Sequence, residues 1–310
     1  MLFYIAIGLF FGLGVAALII FGIDLIDNRI RMVSDFEKFF SIPVLGAFQS
    51  RDKYTSVREF NSNPEALNDN NYRKELGEAR VNFSQRLGDG KLVGLVSPGS
   101  KEGKTLTSFL LAQEVAQTGK RVLIVDLDVY SPMMSNDMQV KGKSGLQDYL
   151  FGEMSLDEVT YSTKFANLDI VGVGQNFYNT EIYYDSQRFE SFLNEVSSHY
   201  DMVFFDTPAL LYVPEVAEFL QKVDGLVYTV KIKETSRSSF NRLLSKTKLI
   251  DITKLGAIVI GVSETELDTY GKKHEYYKRR RRSMLPEYDT EDLPLAHPLK
   301  RKVAFQNVAG

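Results

Sequence analysis

The sequence has no cysteine and only three histidines, His199, His274 and His297. Without thiols there is no disulfide framework, no thiolate metal site and no cysteine nucleophile, and the absence is compatible with a reducing compartment. The histidines are too scattered to make a metal site and read as solvated or capping residues. Net charge is small too, −3 over 310 residues. No global field therefore points to nucleic acid, and any basic function must come from a local cluster. Charge is missing altogether between Leu2 and Ile23. At 1.5 Å per residue that run can cross a hydrocarbon layer about 30 Å thick, which predicts a transmembrane helix. A cleavable signal peptide would want a basic start and a small-residue cleavage site. Met1-Leu2-Phe3-Tyr4 and Gly22-Ile23-Asp24 supply neither.

What is present is globular in composition, 44% hydrophobic and 25% charged, enough for one ordinary domain plus extensions. Arg29 and Arg31 follow the apolar run, so the positive-inside tendency puts the bulk of the chain in the cytoplasm. Gly8, Gly12 and Ala16 recur every four residues, a spacing that lets two helices approach closely in lipid. Asp35 to Phe40 reads as a short amphipathic helix ended by Ser41-Ile42-Pro43-Val44-Leu45-Gly46. Ser50 to Asn71 reads as a polar linker, and Tyr72 to Leu87 as a helix. Apolar β-type runs follow near 92–96, 122–125, 168–171, 202–205, 225–230 and 257–262, alternating with helical stretches. That alternation predicts an α/β fold, a mostly parallel sheet with helices on both faces. The division expected is a transmembrane anchor over 1–24, a juxtamembrane segment, linker and helix over 25–88, a nucleotide-binding domain over 89–265 and a polar, basic tail over 266–310.

The chemistry concentrates after the first of these strands. Leu92 to Val96 runs into Ser97-Pro98-Gly99-Ser100-Lys101-Glu102-Gly103-Lys104-Thr105 and then a helical run from Leu106, the strand–loop–helix order of a P-loop. Glycines let backbone N–H groups curl around phosphate oxygens, and the helix N-terminus adds partial positive charge. The nucleotide-binding stretch is Gly99, Ser100, Lys101, Glu102, Gly103, Lys104, Thr105 and Leu106. Lys104 can reach the β- and γ-phosphates of ATP, and Thr105 can offer its hydroxyl to Mg²⁺. The first glycine of the motif is replaced by Pro98. Two more strands end in carboxylates: Val122-Leu123-Ile124-Val125-Asp126-Leu127-Asp128, and Val203-Phe204-Phe205-Asp206-Thr207-Pro208. Strand C-termini are where open α/β sheets bind ligands. Near a triphosphate, such carboxylates hold Mg²⁺ and orient or deprotonate the attacking group. Asp126 and Asp206, with Thr105, are the metal candidates, and Asp126, Asp128 and Lys104 the catalytic ones. Asp126 and Asp128 could instead simply cap the strand end.

With these motifs the chain resembles the cytoplasmic ATPase domain of bacterial tyrosine autokinases, within the wider group of MinD- and ParA-like P-loop ATPases. Gly103-Lys104-Thr105 is similar to that family's first nucleotide motif, Val122 to Asp128 to its second, and Phe204 to Pro208 to its third. Ser144 to Leu150 and Ser186 to Phe189 fall where the family has similar segments. Ile42-Pro43-Val44-Leu45-Gly46 after an apolar helix resembles the juxtamembrane end of a polysaccharide co-polymerase. The resemblance implies ATP and Mg²⁺ as cofactors, autophosphorylation of C-terminal tyrosines, ring-like self-assembly, and control of exopolysaccharide chain length and export. It also implies a bacterial inner-membrane location and a membrane polymerase or a separate co-polymerase subunit as partner. Tyr270, Tyr276, Tyr277 and Tyr288 are the candidate acceptors. Lys278 to Arg282 could contact anionic headgroups or simply be solvated. The chain departs from the family where Tyr130 replaces an arginine, Gly261 an asparagine, and only Arg80 keeps the register of the oligomerising helix. A nucleotide-gated scaffold without kinase activity and a MinD- or ParA-like positioning ATPase are the alternatives.

Overall fold

Unbroken runs of branched and aromatic residues can be satisfied only by burial on both faces, and these runs form the middle of the sheet. The computed structural model describes residues 2–49, 56–62, 69–175, 186–250 and 252–267. In chain order the elements are α1 (Leu2–Ile26), α2 (Val33–Phe40), β1 (Val44–Gln49), α3 (Val57–Ser62), α4 (Asn70–Leu87), β2 (Leu92–Val96), α5 (Lys104–Ala116), β3 (Val122–Asp126), α6 (Met133–Asp137) and α7 (Leu146–Leu150). They continue with α8 (Leu156–Val159), β4 (Thr160–Ser162), β5 (Leu168–Val171), α9 (Gln187–His199), β6 (Met202–Asp206), α10 (Val216–Leu220), β7 (Gly225–Lys231), α11 (Arg237–Lys248) and β8 (Thr253–Val262).

The eight strands make one sheet in the order β1-β8-β7-β2-β6-β3-β5-β4, parallel throughout except for β4 against β5. Parallel strands share one polarity, so the C-terminal ends of β2, β3, β6 and β7 open on one edge. Register aligns them closely there: Asp126 is paired with Asp206, and Leu95 with Asp206 on the other side of β6. The opposite edge is closed by carboxylates that accept otherwise unpaired amides. Asp224 takes the N–H of Lys91 and Leu92, and Asp201 that of Arg121.

One face of the sheet is covered by α3, α4 and α5 through Phe60, Tyr72, Phe83 and Phe109; the other by α2, α7, α9, α10 and α11 through Phe36, Tyr149, Phe192, Phe219 and Phe240. The helix expected from Asp35 is α2, which ends at Ser41 in the left-handed region, φ 51°.

Two parts of the expected layout differ. The segment after α2 becomes β1, an edge strand pairing with β8, because alternate residues Leu45 and Ala47 bury while the backbone finds a free ladder. The polar stretch 50–71 contains a helical turn, α3, anchored by buried Val57 and Phe60, with the Asp137 carboxylate accepting the Val57 and Arg58 amides. β4, the short antiparallel edge, had no signal in the sequence. The tail tyrosines Tyr270, Tyr276, Tyr277 and Tyr288 and the basic run 278–282 lie outside the described residues.

At the N-terminus α1 exposes its described apolar side chains, Phe10 and Phe11 among them. Among the described residues no helix is long and apolar enough to cross a membrane. The longest unbroken described stretch of α1 side chains is 8–19. Beyond α1, Arg29 and Ser236 form an isolated antiparallel bridge, the Ile30 N–H donates to Thr235 O at 2.9 Å, and Lys233 N–H donates to Ile30 O at 2.8 Å.

Candidate functional site

The loop between β2 and α5 is shaped by its backbone. Gly103 has φ 77°, where a residue with a Cβ is strained, and a Cβ there would also force Cδ1 of Ile260 on β8 to move, so the position favours glycine. Lys101 adopts φ 63°, which costs a residue with a Cβ roughly 1–2 kcal/mol. The Ser97 hydroxyl donates to Gly99 O at 2.7 Å, and Thr107 N–H closes the first turn of α5 on Gly103 O at 2.9 Å. Ser100 and Lys101 are exposed at the loop's tip. Glu102 is buried, Thr105 and Leu106 half-buried. The free amides at the start of α5 and the loop around them form an anion cradle.

Lys104 is buried, its Nζ 3.9 Å from Oδ1 of Asp206. Asp206 also accepts from Ser108 Oγ at 3.4 Å and from the Thr105 hydroxyl. Burial pushes the Asp206 carboxyl above the usual range, while Lys104, Thr105 and Ser108 pull it back. Its strand neighbour Asp126 is pushed up to about 8, by burial first and by the adjacent Asp206 second. The two buried carboxylates end neighbouring strands, and Lys104 opposes the rise at Asp206.

Asp126 and Asp128 do different things. Asp126 has both oxygens occupied: Oδ1 accepts Asp128 N–H at 3.0 Å, and Oδ2 accepts the Ser135 N–H at 2.8 Å and hydroxyl at 2.7 Å. Asp126 thereby fixes the β3–α6 loop. Asp128 is half-buried and accepts the Ser131 N–H at 2.9 Å and the Tyr130 N–H. Burial raises its carboxyl and Lys104 opposes the rise. Tyr130, two residues on, is 67% exposed at the rim.

Among the described residues no three His, Cys, Asp or Glu side chains gather to hold a metal ion. Mg²⁺ keeps several waters and takes one or two protein oxygens beside substrate phosphates. Thr105 and Asp206 carry oxygens that could hold such an ion, while both oxygens of Asp126 accept hydrogen bonds from Asp128 and Ser135. Of the residues expected from sequence, Lys104, Thr105, Asp126, Asp128 and Asp206 converge. Three others had not been singled out. Ser108 lies one helical turn after Lys104 and was legible from that spacing. Ser135 and Thr235, whose hydroxyl meets Glu102, are brought in by loops and carried no local signal.

Residues 99–258, just over half of the 310, match the family described as an AAA domain. The chain belongs to that AAA-domain family. The matched region holds every residue of the converged site. Among relatives of this AAA domain, the tyrosine-protein kinase CpsD of Streptococcus agalactiae is 26% identical over 204 residues, 66% of this chain and 89% of that one. The tyrosine-protein kinase YwqD of Bacillus subtilis is 26% identical over 219 residues, 70% of this chain and 92% of that one. In fold, the AAA domain and its flanks are similar to the chimerical protein CapA2B2, with a TM-score of 0.67 at 20% identity, over 74% of this chain and 99% of that one.

Proposed function

We propose that this chain is an ATP- and Mg²⁺-dependent protein-tyrosine kinase that phosphorylates tyrosines of its own C-terminal segment, anchored in a bacterial inner membrane and acting in exopolysaccharide or capsule assembly. The observation that carries the reading is the meeting of buried Lys104, Asp206 and half-buried Asp128 at the mouth of the phosphate loop. Relatives named tyrosine-protein kinases over most of their length support the acceptor.

The residues divide the work by position. Loop amides from Ser100 to Leu106 bind phosphate oxygens, the Gly99 N–H being held by Glu102, and Lys104 binds the β- and γ-phosphates. Thr105 and Asp206 would hold Mg²⁺, which would supply positive charge to balance the transferring phosphoryl group. Asp126 holds the Asp128 loop in place. Asp128 accepts the phenol proton as the tyrosine oxygen bonds the γ-phosphorus and the bond from that phosphorus to the β–γ bridging oxygen breaks, releasing ADP. Tyr270, Tyr276, Tyr277 and Tyr288 are the proposed acceptors. Each phosphate would add roughly −1.5 to −2 charges and loosen assemblies by repulsion. The charge-free run of α1 supports single-pass anchoring with the AAA domain in the cytoplasm, beside a membrane polysaccharide polymerase or a separate co-polymerase subunit.

A nucleotide-gated scaffold is the second reading, favoured by one contact. Arg80, the residue of α4 that keeps the family's oligomerising register, is engaged within its own chain, Nε to Glu114 Oε1 at 3.4 Å. A MinD- or ParA-like positioning ATPase is disfavoured because Gly99 stands where that group has a second lysine. Full-length wild type and Lys104→Met incubated with Mg²⁺ and labelled ATP, followed by phosphosite mapping, separate the readings. Lysine-dependent phosphate on the tail tyrosines is expected. Tight ATP binding without phosphotyrosine, even beside a candidate membrane partner, would leave the scaffold.

A further inference from the structure

Glu102 presents a paradox inside a loop built to receive a triphosphate, because a carboxylate there opposes the incoming charge. The geometry resolves it. Its side chain is 7% exposed and both oxygens are committed: Oε2 accepts the Gly99 N–H at 2.6 Å, and Oε1 accepts the Thr235 hydroxyl at 2.8 Å. The first bond ties the start of the loop to its end across three residues. The second ties the loop to the β7–α11 connection.

Thr235 is itself immobilised. It is fully buried, its Oγ1 receives Lys231 N–H at 3.0 Å, its own N–H donates to Lys231 O at 2.9 Å, and its carbonyl receives Ile30 N–H at 2.9 Å. Lys231 ends β7 and is paired with Ile260 of β8, the residue whose side chain fills the space over Gly103. The loop therefore has two fixed points on the sheet edge, one apolar at Gly103 and one polar at Glu102. Between Gly99, held by the Glu102 carboxylate, and Gly103, the backbone of residues 100–102 is held in place before any ligand arrives, and the strained φ of Lys101 persists because its neighbours are pinned.

We infer that Glu102, through Thr235, is a positioning residue that pre-sets the phosphate loop for nucleotide, acting by its hydrogen bonds and not by its charge. Burial, which raises the Glu102 carboxyl despite Lys104 and the two hydrogen bonds, favours a form that repels phosphate less. The inference rests on the nucleotide-binding reading above and adds to it how the loop is kept in shape.

A staple that acts through its hydrogen bonds makes a discriminating prediction, since a glutamine can accept the Gly99 N–H through its oxygen and donate to Thr235 Oγ1 through its amide. The test titrates a fluorescent ADP analogue with Mg²⁺ into the full chain and its variants. Glu102→Ala and Thr235→Val are each expected to weaken binding roughly tenfold, the equivalent of one to two ordinary hydrogen bonds. Glu102→Gln and Thr235→Ser recover most of that loss, and the Glu102→Ala/Thr235→Val pair is no weaker than either alone. The nucleotide-free melting temperature shifts far less than affinity does, and if Glu102→Ala fails to fold, Thr235→Val carries the same comparison. Wild-type affinity in both Glu102→Ala and Thr235→Val, no recovery in Glu102→Gln, or additive losses would each overturn the inference while leaving nucleotide binding intact. A wild-type chain that binds no nucleotide would instead overturn the functional reading on which it rests.

Discussion

Lys104 lies 3.9 Å from Asp206 in a place that water barely reaches, so its charge acts on whatever enters the loop with little screening. Hydrogen bonds to charged groups contribute about 1.5–3 kcal/mol, and Lys104→Met is expected to weaken ATP binding by roughly 10- to 150-fold, read by titration with a fluorescent ATP analogue. Asp126 carries a pH prediction. Its folded-state pKa is raised from 3.8 to about 8, so the folded chain holds the proton more tightly than the unfolded one. Its contribution to stability is whole at low pH and is lost as pH climbs toward about 8. Measured in chelator, the melting temperature of wild type should fall relative to Asp126→Asn between about pH 5 and pH 8; parallel curves would refute the assignment. Asp126, Asp128 and Asp206 were legible because each ends or closely follows an apolar strand, and Lys104 and Thr105 because they close a glycine-containing loop between strand and helix. Ser135 and Thr235 were not, because their importance comes from long-range loop closure: Ser135 meets Asp126 nine positions back, and Thr235 meets Glu102 from 133 positions away.

Elements pack with differing tolerance. The ring of Phe240 on α11 meets Phe36 at 5.0 Å, Phe40 at 4.6 Å and Tyr228 at 5.6 Å, which makes it the hinge of contact between α2, α11 and β7. Phe240→Ala should cost about 3–5 kcal/mol, seen as a lower urea midpoint. β1 lies close against α4: a Cβ added at Gly46 would sit 2.6 Å from Ala79 Cβ. Gly46→Val should therefore destabilise by roughly 1–3 kcal/mol and loosen β1 from β8, which amide exchange would report as faster exchange at residues 44–49. These two elements also mark where sequence reading fell short. α2 was legible from its apolar periodicity. β1 was not, because Ile42-Pro43 and Gly46 read as the end of a helix, and only the free edge of β8, over two hundred residues later, makes that segment a strand.

At the scale of the whole molecule, one sheet polarity gathers the chemistry on one edge, and the helical cover is split between two cores. The alternation of strands and helices was enough to forecast that arrangement, since parallel strands need crossovers and crossovers need both faces. The anchoring proposed for residues 2–26 is tested by removing them: full-length chain should float with lipid vesicles in a density gradient, whereas a chain lacking residues 2–26 should stay with the soluble fraction while keeping its affinity for nucleotide. The rim of the site offers something of a different kind. The 310 residues contain no tryptophan, and Tyr130 projects into solvent two residues past Asp128. An indole introduced by Tyr130→Trp would be the chain's only red-shifted emitter, free of background from anywhere else in the fold. Its spectrum would turn the mouth of the site into an optical gauge, able to time the arrival and departure of unlabelled nucleotide in a stopped-flow cell.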